Sequence, residues 1–449
     1  MTSRLRLPYL TTILIVAGAL RLAAILFVRS FLHPETWEFG PIAEKIVSGV
    51  GYTIVLPNGQ RAPSAFEPPA YAYILASFYR IGGQRPLTYL ILALVQAALG
   101  VLLVYVVYRL ADLLLGRKGA VIAAILVAIY PTQVYMCNEF HSINFYIVLE
   151  AASVLFLVRY LKVSPSWNDL IAAGFCMGVM MLFRGEAPGL VVLYGILLLI
   201  QGGLRAVVPS LVFLLLASAC LAPWTLRNYL VFGKFVPVCT TSGATLWIGH
   251  NPRADGGDRY GYDFYKPKPP DVNAAFETIP FNRDYEYAEN KALHDFAIQY
   301  IRTHPRREIE LAFKKLFIFF FFDPLHPKGR QPAYWVPSFL LTLLAIGGAI
   351  RYRKNLLHEY LFVTASIGFA ITVGMAVLVL PRYKIVVDPF FMIFAAALLS
   401  GQQPAQRSEA QPTSNRPIRL ASTTRASQFV LELSSIFAKP GSLKLGAIR

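Results

Sequence analysis

Charge is what this sequence has least of. Only 15% of its 449 residues are Asp, Glu, Lys or Arg, where a soluble domain carries about a quarter. So few charges cannot solvate the surface of a globule this size, which argues against a cytosolic or secreted soluble enzyme. Acids are scarcer than bases, 25 against 42, for a formal charge of +17. Cysteine is nearly missing. Cys137, Cys176, Cys220 and Cys239 show no metal-ligand spacing; they imply no disulfide framework and read as small buried hydrophobes. No convincing internal repeat is present and acids inside the apolar stretches are few, whereas many transporters show both repeats and charged or broken spans.

What the chain has instead is apolar length: 56% of its residues are hydrophobic and the mean hydropathy is +0.51. The basic residues fall in short runs between apolar stretches. That is the pattern of cytoplasmic loops under the positive-inside rule, not of a nucleic-acid surface. Residues 8–28, preceded by Arg4 and Arg6, are too long for a signal-peptide core and are expected to form a retained first span. Arg21 interrupts it and, being costly at mid-membrane, is expected to face other helices or snorkel. Further spans are expected at 87–108, 119–137, 142–159, 168–183, 187–201 and 205–222, each long enough to cross a core about 30 Å thick. Arg109 with Arg117 and Lys118, Arg159 with Lys162, and Arg205 mark one face of the membrane.

Two polar segments fall on the other face. Residues 29–86 hold a surface helix at 41–48 and an aromatic amphipathic stretch at 70–81, read as interfacial or re-entrant. Residues 223–308 are dense in Gly, Asn and Pro, which suggests turns and short strands, and close on a helix at 285–304. Apolar stretches resume at 309–322, 333–350, 359–380 and 384–400. Simple alternation then places Arg351, Arg353 and Lys354 on the outer face, against the positive-inside rule, so either 309–322 does not cross fully or a span is miscounted. The expected fold is an all-α membrane protein: a polytopic helical bundle of about 11–13 spans over residues 1–400. Its outer loops carry short helices and strands, and a polar, disordered tail follows at 401–449.

The first polar segment holds the best acid–base candidates, within HPETWEFGPIAEKIVSGVGY. Glu35 and Glu38 are three apart and share a face on a helical turn. One carboxylate there can accept a proton from an attacking hydroxyl. The two together can offer oxygen ligands to a divalent cation, Mg or Mn. Taken alone, they read equally as solvated loop glutamates.

With Gly49-Val50-Gly51-Tyr52 closing that stretch and Pro68-Pro69-Ala70-Tyr71 following it, the loop resembles the first extracytoplasmic loop of GT-C-type membrane glycosyltransferases. These include the protein O-mannosyltransferases and the lipid A aminoarabinose transferases. The segment PWTLRNYLVFGKFVPVCTTSGATLWIGHNP, then Thr303-His304-Pro305 with Lys314-Lys315, and Pro381-Arg382-Tyr383 with Pro389, are similar to segments of bacterial members in the same order. Four positions depart from the pattern: Glu35 stands where the leading carboxylate is often Asp, His250 stands for a usual Asn, Asn144 lies near a usual Glu, and Glu67 precedes the proline pair where some relatives have a base.

The resemblance implies transfer of a sugar from a polyprenyl-phosphate donor to a lipid, glycan or protein acceptor, by a single displacement with inversion. The departing phosphate then needs cations. Arg227, Arg382, Lys384 and Arg184 are the candidates, with arginine suited to bidentate phosphate binding. Glu35 is assigned as base and Glu38 as its support or as a metal ligand. Trp37, Tyr52, Trp247 and Tyr260 are candidates for stacking on sugar, or equally belt aromatics, and His250 is the histidine most suited to a substrate role. The implied location is a bacterial inner membrane, with the site facing outward. Three rival readings stay open: a transporter or flippase of lipid-linked sugars, a non-catalytic scaffold, and a polysaccharide polymerase or ligase.

Overall fold

A computed structural model describes residues 7–163, 165–257, 270–324, 328–355 and 358–401. Arg4, Arg6, Tyr260 and the tail beyond Gly401 lie outside the described residues. The chain is an all-α polytopic bundle, and its one strand pair among the described residues is a small hairpin in the first loop.

Helix α1 (Leu7–Val28) is apolar apart from Thr11, Thr12 and Arg21. The first loop then holds α2 (Phe39–Val47), strands β1 (Thr53–Val55) and β2 (Arg61–Pro63), and α3 (Pro69–Gly82). Helix α4 (Pro86–Ile129) is broken at Gly116, whose φ of 72° is a left-handed geometry that suits glycine. Gly100 on its first leg and Ala128 on its second both meet the Arg21 guanidinium, while Arg117 lies over Tyr9. The chain therefore reverses at Gly116, and the two legs run side by side along α1. Then come α5 (Pro131–Tyr135), α6 (Ile143–Lys162), α7 (Trp167–Met181), α8 (Ala187–Gly202) and α9 (Val207–Phe232). The second loop carries α10 (Ser242–Gly249), α11 (Pro270–Glu277) and α12 (Tyr285–Thr303). The chain continues through α13 (Pro305–Phe320), α14 (Pro332–Arg351), α15 (Leu361–Ala376) and α16 (Pro381–Ser400).

Six stretches are long and apolar enough to cross a membrane, and α7 and α15 are shorter apolar helices. Two of the six, 86–129 and 187–232, double back, so the described residues make ten passes. The expected crossing at 309–322 is not among them. Helix α13 opens with the polar run PRREIE. At its far end Phe320 stacks on Phe391, and its carbonyl accepts a bond from the Thr342 hydroxyl at 2.5 Å. Phe391 and Thr342 each lie ten residues inside a twenty-residue helix, roughly 15 Å from its start. Helix α13 thus dips to mid-depth and the chain turns back. With that correction Arg351, Arg353 and Lys354 rejoin the other basic loops at one end of the bundle. Contacts across the bundle agree, since Lys118 donates to the Ser400 carbonyl at 2.8 Å and Lys162 pairs with Glu359.

The polar loops gather at the other end. Two expectations for them change. The second loop starts after Phe232, because 223–232 continue α9 through Pro223. Its described residues form helices and turns with no strand. The stretch at 70–81 is α3, which buries Tyr71, Leu75, Ala76 and Tyr79 against the rest of the protein.

Candidate active site

The site is set by how the two loops are locked together. Glu286, near the start of α12, is buried, and its Oε1 accepts bonds from the Ala65 N–H at 2.8 Å and from the Thr240 hydroxyl. The Thr240 N–H donates to the Ala65 carbonyl at 2.9 Å. Burial raises the Glu286 pKa, while its hydrogen bonds from Ser64, Thr240 and Ala65 act the other way. Two residues on from Ala65, Glu67 is fixed from its other side by the Tyr52 hydroxyl, which donates to the Glu67 carbonyl at 2.7 Å.

Around Glu67 the charges converge. Burial raises its carboxyl pKa to about 8, Glu38 and Glu186 add to the rise, and Arg382 and Arg184 oppose it. His141 lies in the field of the same two arginines; burial first, then Arg382 and Arg184, hold its pKa well below the usual value, so the ring is neutral. Cys239 closes the floor beside the Arg184-Gly185-Glu186 turn, and burial pushes its thiol up to about 12. Arg184 is buried, pairs with Glu186, and lies 5.0 Å from the Tyr383 ring and 5.5 Å from the Tyr146 ring. Its burial would lower its pKa, but Glu186, Tyr383 and Tyr146 outweigh this and raise it. Arg382 makes no ion pair or hydrogen bond among the described residues. From Arg184, Glu186 and Tyr383 a narrow cleft runs down between α6, α15 and α16, with Phe369, Val373 and Val387 on its walls and Glu150 and Ser366 at depth.

The segment before Arg382 is clamped. Gly249 packs so closely that a Cβ there would stand 1.7 Å from the Val377 carbonyl oxygen. The Val379 N–H donates to Gly256 at 3.0 Å. His250 Nε2 lies 3.0 Å from the Ala376 carbonyl and 3.0 Å from Lys315 Nζ, which also donates to Met375 at 3.2 Å. Burial and then Lys315 lower the His250 pKa. A neutral ring that accepts from Lys315 at Nε2 carries its proton on Nδ1, 2.5 Å from Glu308.

The residues picked from the sequence therefore divide. Glu38, Arg184 and Arg382 all act on the charge of the Glu67 carboxyl. Glu35 and Glu38 are both exposed; residues 33–35 are not helical and α2 begins only at Phe39, so the two glutamates do not share a helical face. Trp37, at φ 50°, makes the turn between them. Arg227 donates to the Ser64 and Tyr52 carbonyls at 2.6 and 3.0 Å and lies over Tyr52 and Trp224, which ties the first loop to α9. Lys384 pairs with Asp388 at 3.0 Å, both buried, one step around α16 from the cleft residue Tyr383. Tyr52, Trp247 and His250 are buried; Trp247 packs on Val272, Leu293 and Ala297. Glu67 and Glu186 were not chosen from the sequence as acids of the site. The signals available were an acid directly before Pro68-Pro69 and an Arg-Gly-Glu turn between two spans.

A divalent cation fits Glu35 and Glu38 poorly. Among the described residues no three His, Cys, Asp or Glu converge on a metal-sized position, and the positive charge of Arg184 and Arg382 that reaches Glu67 would repel a cation there.

Fold and site together define a polytopic helical membrane protein with an acid and arginine cluster at the loop end. The model of the dolichyl-phosphate-mannose-protein mannosyltransferase family matches residues 66–226. The oligosaccharyltransferase of Archaeoglobus fulgidus, solved with a tethered acceptor peptide, is 12% identical at a TM-score of 0.54, covering 88% of this chain and 50% of its own. The archaeal oligosaccharyltransferase AglB from Archaeoglobus fulgidus, in complex with an inhibitory peptide and a dolichol-phosphate, is 14% identical at a TM-score of 0.52, covering 97% and 53%. ArnT from Cupriavidus metallidurans, bound to undecaprenyl phosphate, is 14% identical at a TM-score of 0.37, covering 89% and 77%. The chain thus spans about half the length of the oligosaccharyltransferases it matches. No curated protein sequence matches it.

Proposed function

We propose that the protein is a membrane glycosyltransferase that takes a sugar from a polyprenyl-phosphate carrier at the outer face of a bacterial inner membrane. One observation carries this reading: Arg184 and Arg382, with Glu38, act on the Glu67 carboxyl, and Arg184 lines a cleft walled by Phe369, Val373 and Val387 with Glu150 and Ser366 deeper. The arginines suit the carrier's phosphate, and the apolar walls suit the start of its hydrocarbon chain.

The reaction is a single displacement. A hydroxyl or other nucleophile of the lipid, glycan or protein acceptor attacks the anomeric carbon. The bond from that carbon to the phosphate oxygen breaks, and its electron pair leaves with the lipid phosphate. Arg184 and Arg382 stabilise the charge that grows on that oxygen. Glu38 takes the acceptor's proton. Glu67, kept neutral near pH 7 by its high pKa, adds no second negative charge beside the donor. Arg227, Lys384 and Glu35 are assigned to the scaffold around this centre.

The test is transfer from a panel of polyprenyl-phosphate sugars by the purified full chain. Glu38→Gln is expected to lower turnover by roughly 10²–10⁴-fold, with donor binding retained, and Glu35→Gln by no more than a few-fold. Normal transfer by Glu38→Gln, or loss in Glu35→Gln alone, overturns the assignment of the base. No transfer from any carrier-linked sugar by the wild type overturns the function.

A further inference from the structure

A second cavity lies away from the candidate site. This open cavity lies at the opposite end of the bundle, between the last turn of α6, the end of α8 and the start of α15. Its floor is apolar and includes buried Val158 and Phe362. Its rim is polar and mostly exposed: Lys162, Gln201, Lys354 and His358, with Glu359 as the one acid. Glu359 is held by Lys162, and Gln201 Nε2 reaches the His358 carbonyl at 3.4 Å. Lys354 makes no ion pair among the described residues, so the rim carries net positive charge.

Its place in the bundle matters as much as its lining. It sits where Arg351, Arg353, Lys118 and Arg205 gather, the end that the positive-inside rule puts in the cytoplasm. The inner leaflet there is the anionic one. An apolar floor under a cationic rim, level with the ends of the spans, matches a phosphodiester with hydrocarbon attached better than it matches a free anion, which has no use for the floor.

We infer that this cavity binds the phosphodiester headgroup of an anionic phospholipid from the inner leaflet, with Lys354 and Lys162 at the phosphate and the glycerol end against Val158 and Phe362. The site does not depend on the sugar-transfer reading, and nothing in that chemistry requires it.

The experiment uses the full chain in nanodiscs of phosphatidylcholine doped with phosphatidylglycerol. Native mass spectrometry counts the lipid retained. The wild type is expected to hold one phosphatidylglycerol in preference to phosphatidylcholine. Lys354→Glu is expected to weaken that binding by roughly tenfold, while Lys234→Glu, an exposed lysine at the far end, leaves it unchanged. An unaltered elution profile for both variants shows that they fold. Equal retention by Lys354→Glu and the wild type, or equal loss in both variants, overturns the site. Release of the lipid by millimolar inorganic phosphate, with retention of the phosphate in its place, overturns the lipid assignment in favour of a soluble anion.

Discussion

At the scale of single residues, the carboxyl of Glu67 is the most unusual feature of the site. Its pKa of about 8 arises from burial first and from Glu38 next. The folded protein binds this proton more tightly than the unfolded chain, so the group's contribution to stability falls as pH rises from the ordinary glutamate value toward 8. Function should follow the same ionisation. As pH climbs through about 8, Glu67 gains a charge beside the donor phosphate, and KM for the donor is expected to rise by roughly tenfold between about pH 7 and about pH 9. Glu67→Gln imitates the neutral form, so it should keep most activity at neutral pH and flatten that alkaline limb. A steady-state pH profile of both proteins checks this; an unchanged limb in the variant assigns the ionisation to another group. The resemblance favours Glu35, the loop's leading carboxylate, as base, and the spacing of three suggests one helical face for it and Glu38. Pro34 precedes the pair and Trp37 turns the chain at φ 50°, so the helix starts only at Phe39. Arg227 was legible as a cation near the outer face. The two carbonyls that occupy it, at Tyr52 and Ser64, lie more than 160 residues away in sequence, beyond the reach of any local pattern.

Among the elements, the two loops behave as one body because a helix carboxylate joins them. Glu286 on α12 holds Ala65 from the first loop and Thr240 from the second. Glu286→Ala leaves both donors unpaired in a buried site and is expected to cost about 1–3 kcal/mol. Glu286→Gln keeps an acceptor at that position and removes a buried charge, so its stability is expected to stay within about 0.5 kcal/mol of wild type. Thermal unfolding of the detergent-solubilised variants distinguishes the two, and equal Tm values would deny the latch. The helices themselves were readable from apolar length: the retained first span, the spans at 142–159 and 333–350, and the outer helix at 285–304 all have close counterparts. The latch was not readable. A glutamate at the start of an amphipathic helix looks like any solvated residue favoured near a positive helix end. Only the fold brings it under the first loop.

For the whole molecule, the depth of α13 decides the orientation of everything after it. Residues 309–322 are apolar enough to pass for a span, and composition alone cannot separate a full crossing from a half-insertion. The structure does so through the level at which Phe320 meets Phe391 and Thr342. If α13 turns back, Arg351, Arg353 and Lys354 lie with Lys118 in the cytoplasm, and α16 enters from the outside with Arg382 at its outer end. A crossing α13 would instead set Arg382 on the opposite side from Glu38 and dismantle the proposed site. Single cysteines in a background with the four native ones replaced can tell these apart. Lys234→Cys, exposed in the second loop, is expected to react with a membrane-impermeant maleimide on intact spheroplasts. Arg353→Cys, also exposed, should react only after permeabilisation. Ile309→Cys, 61% exposed near the start of α13, should label with Lys234→Cys. Labelling of Arg353→Cys from outside would mean that α13 crosses, and that the acids and arginines named here never share one face of the membrane.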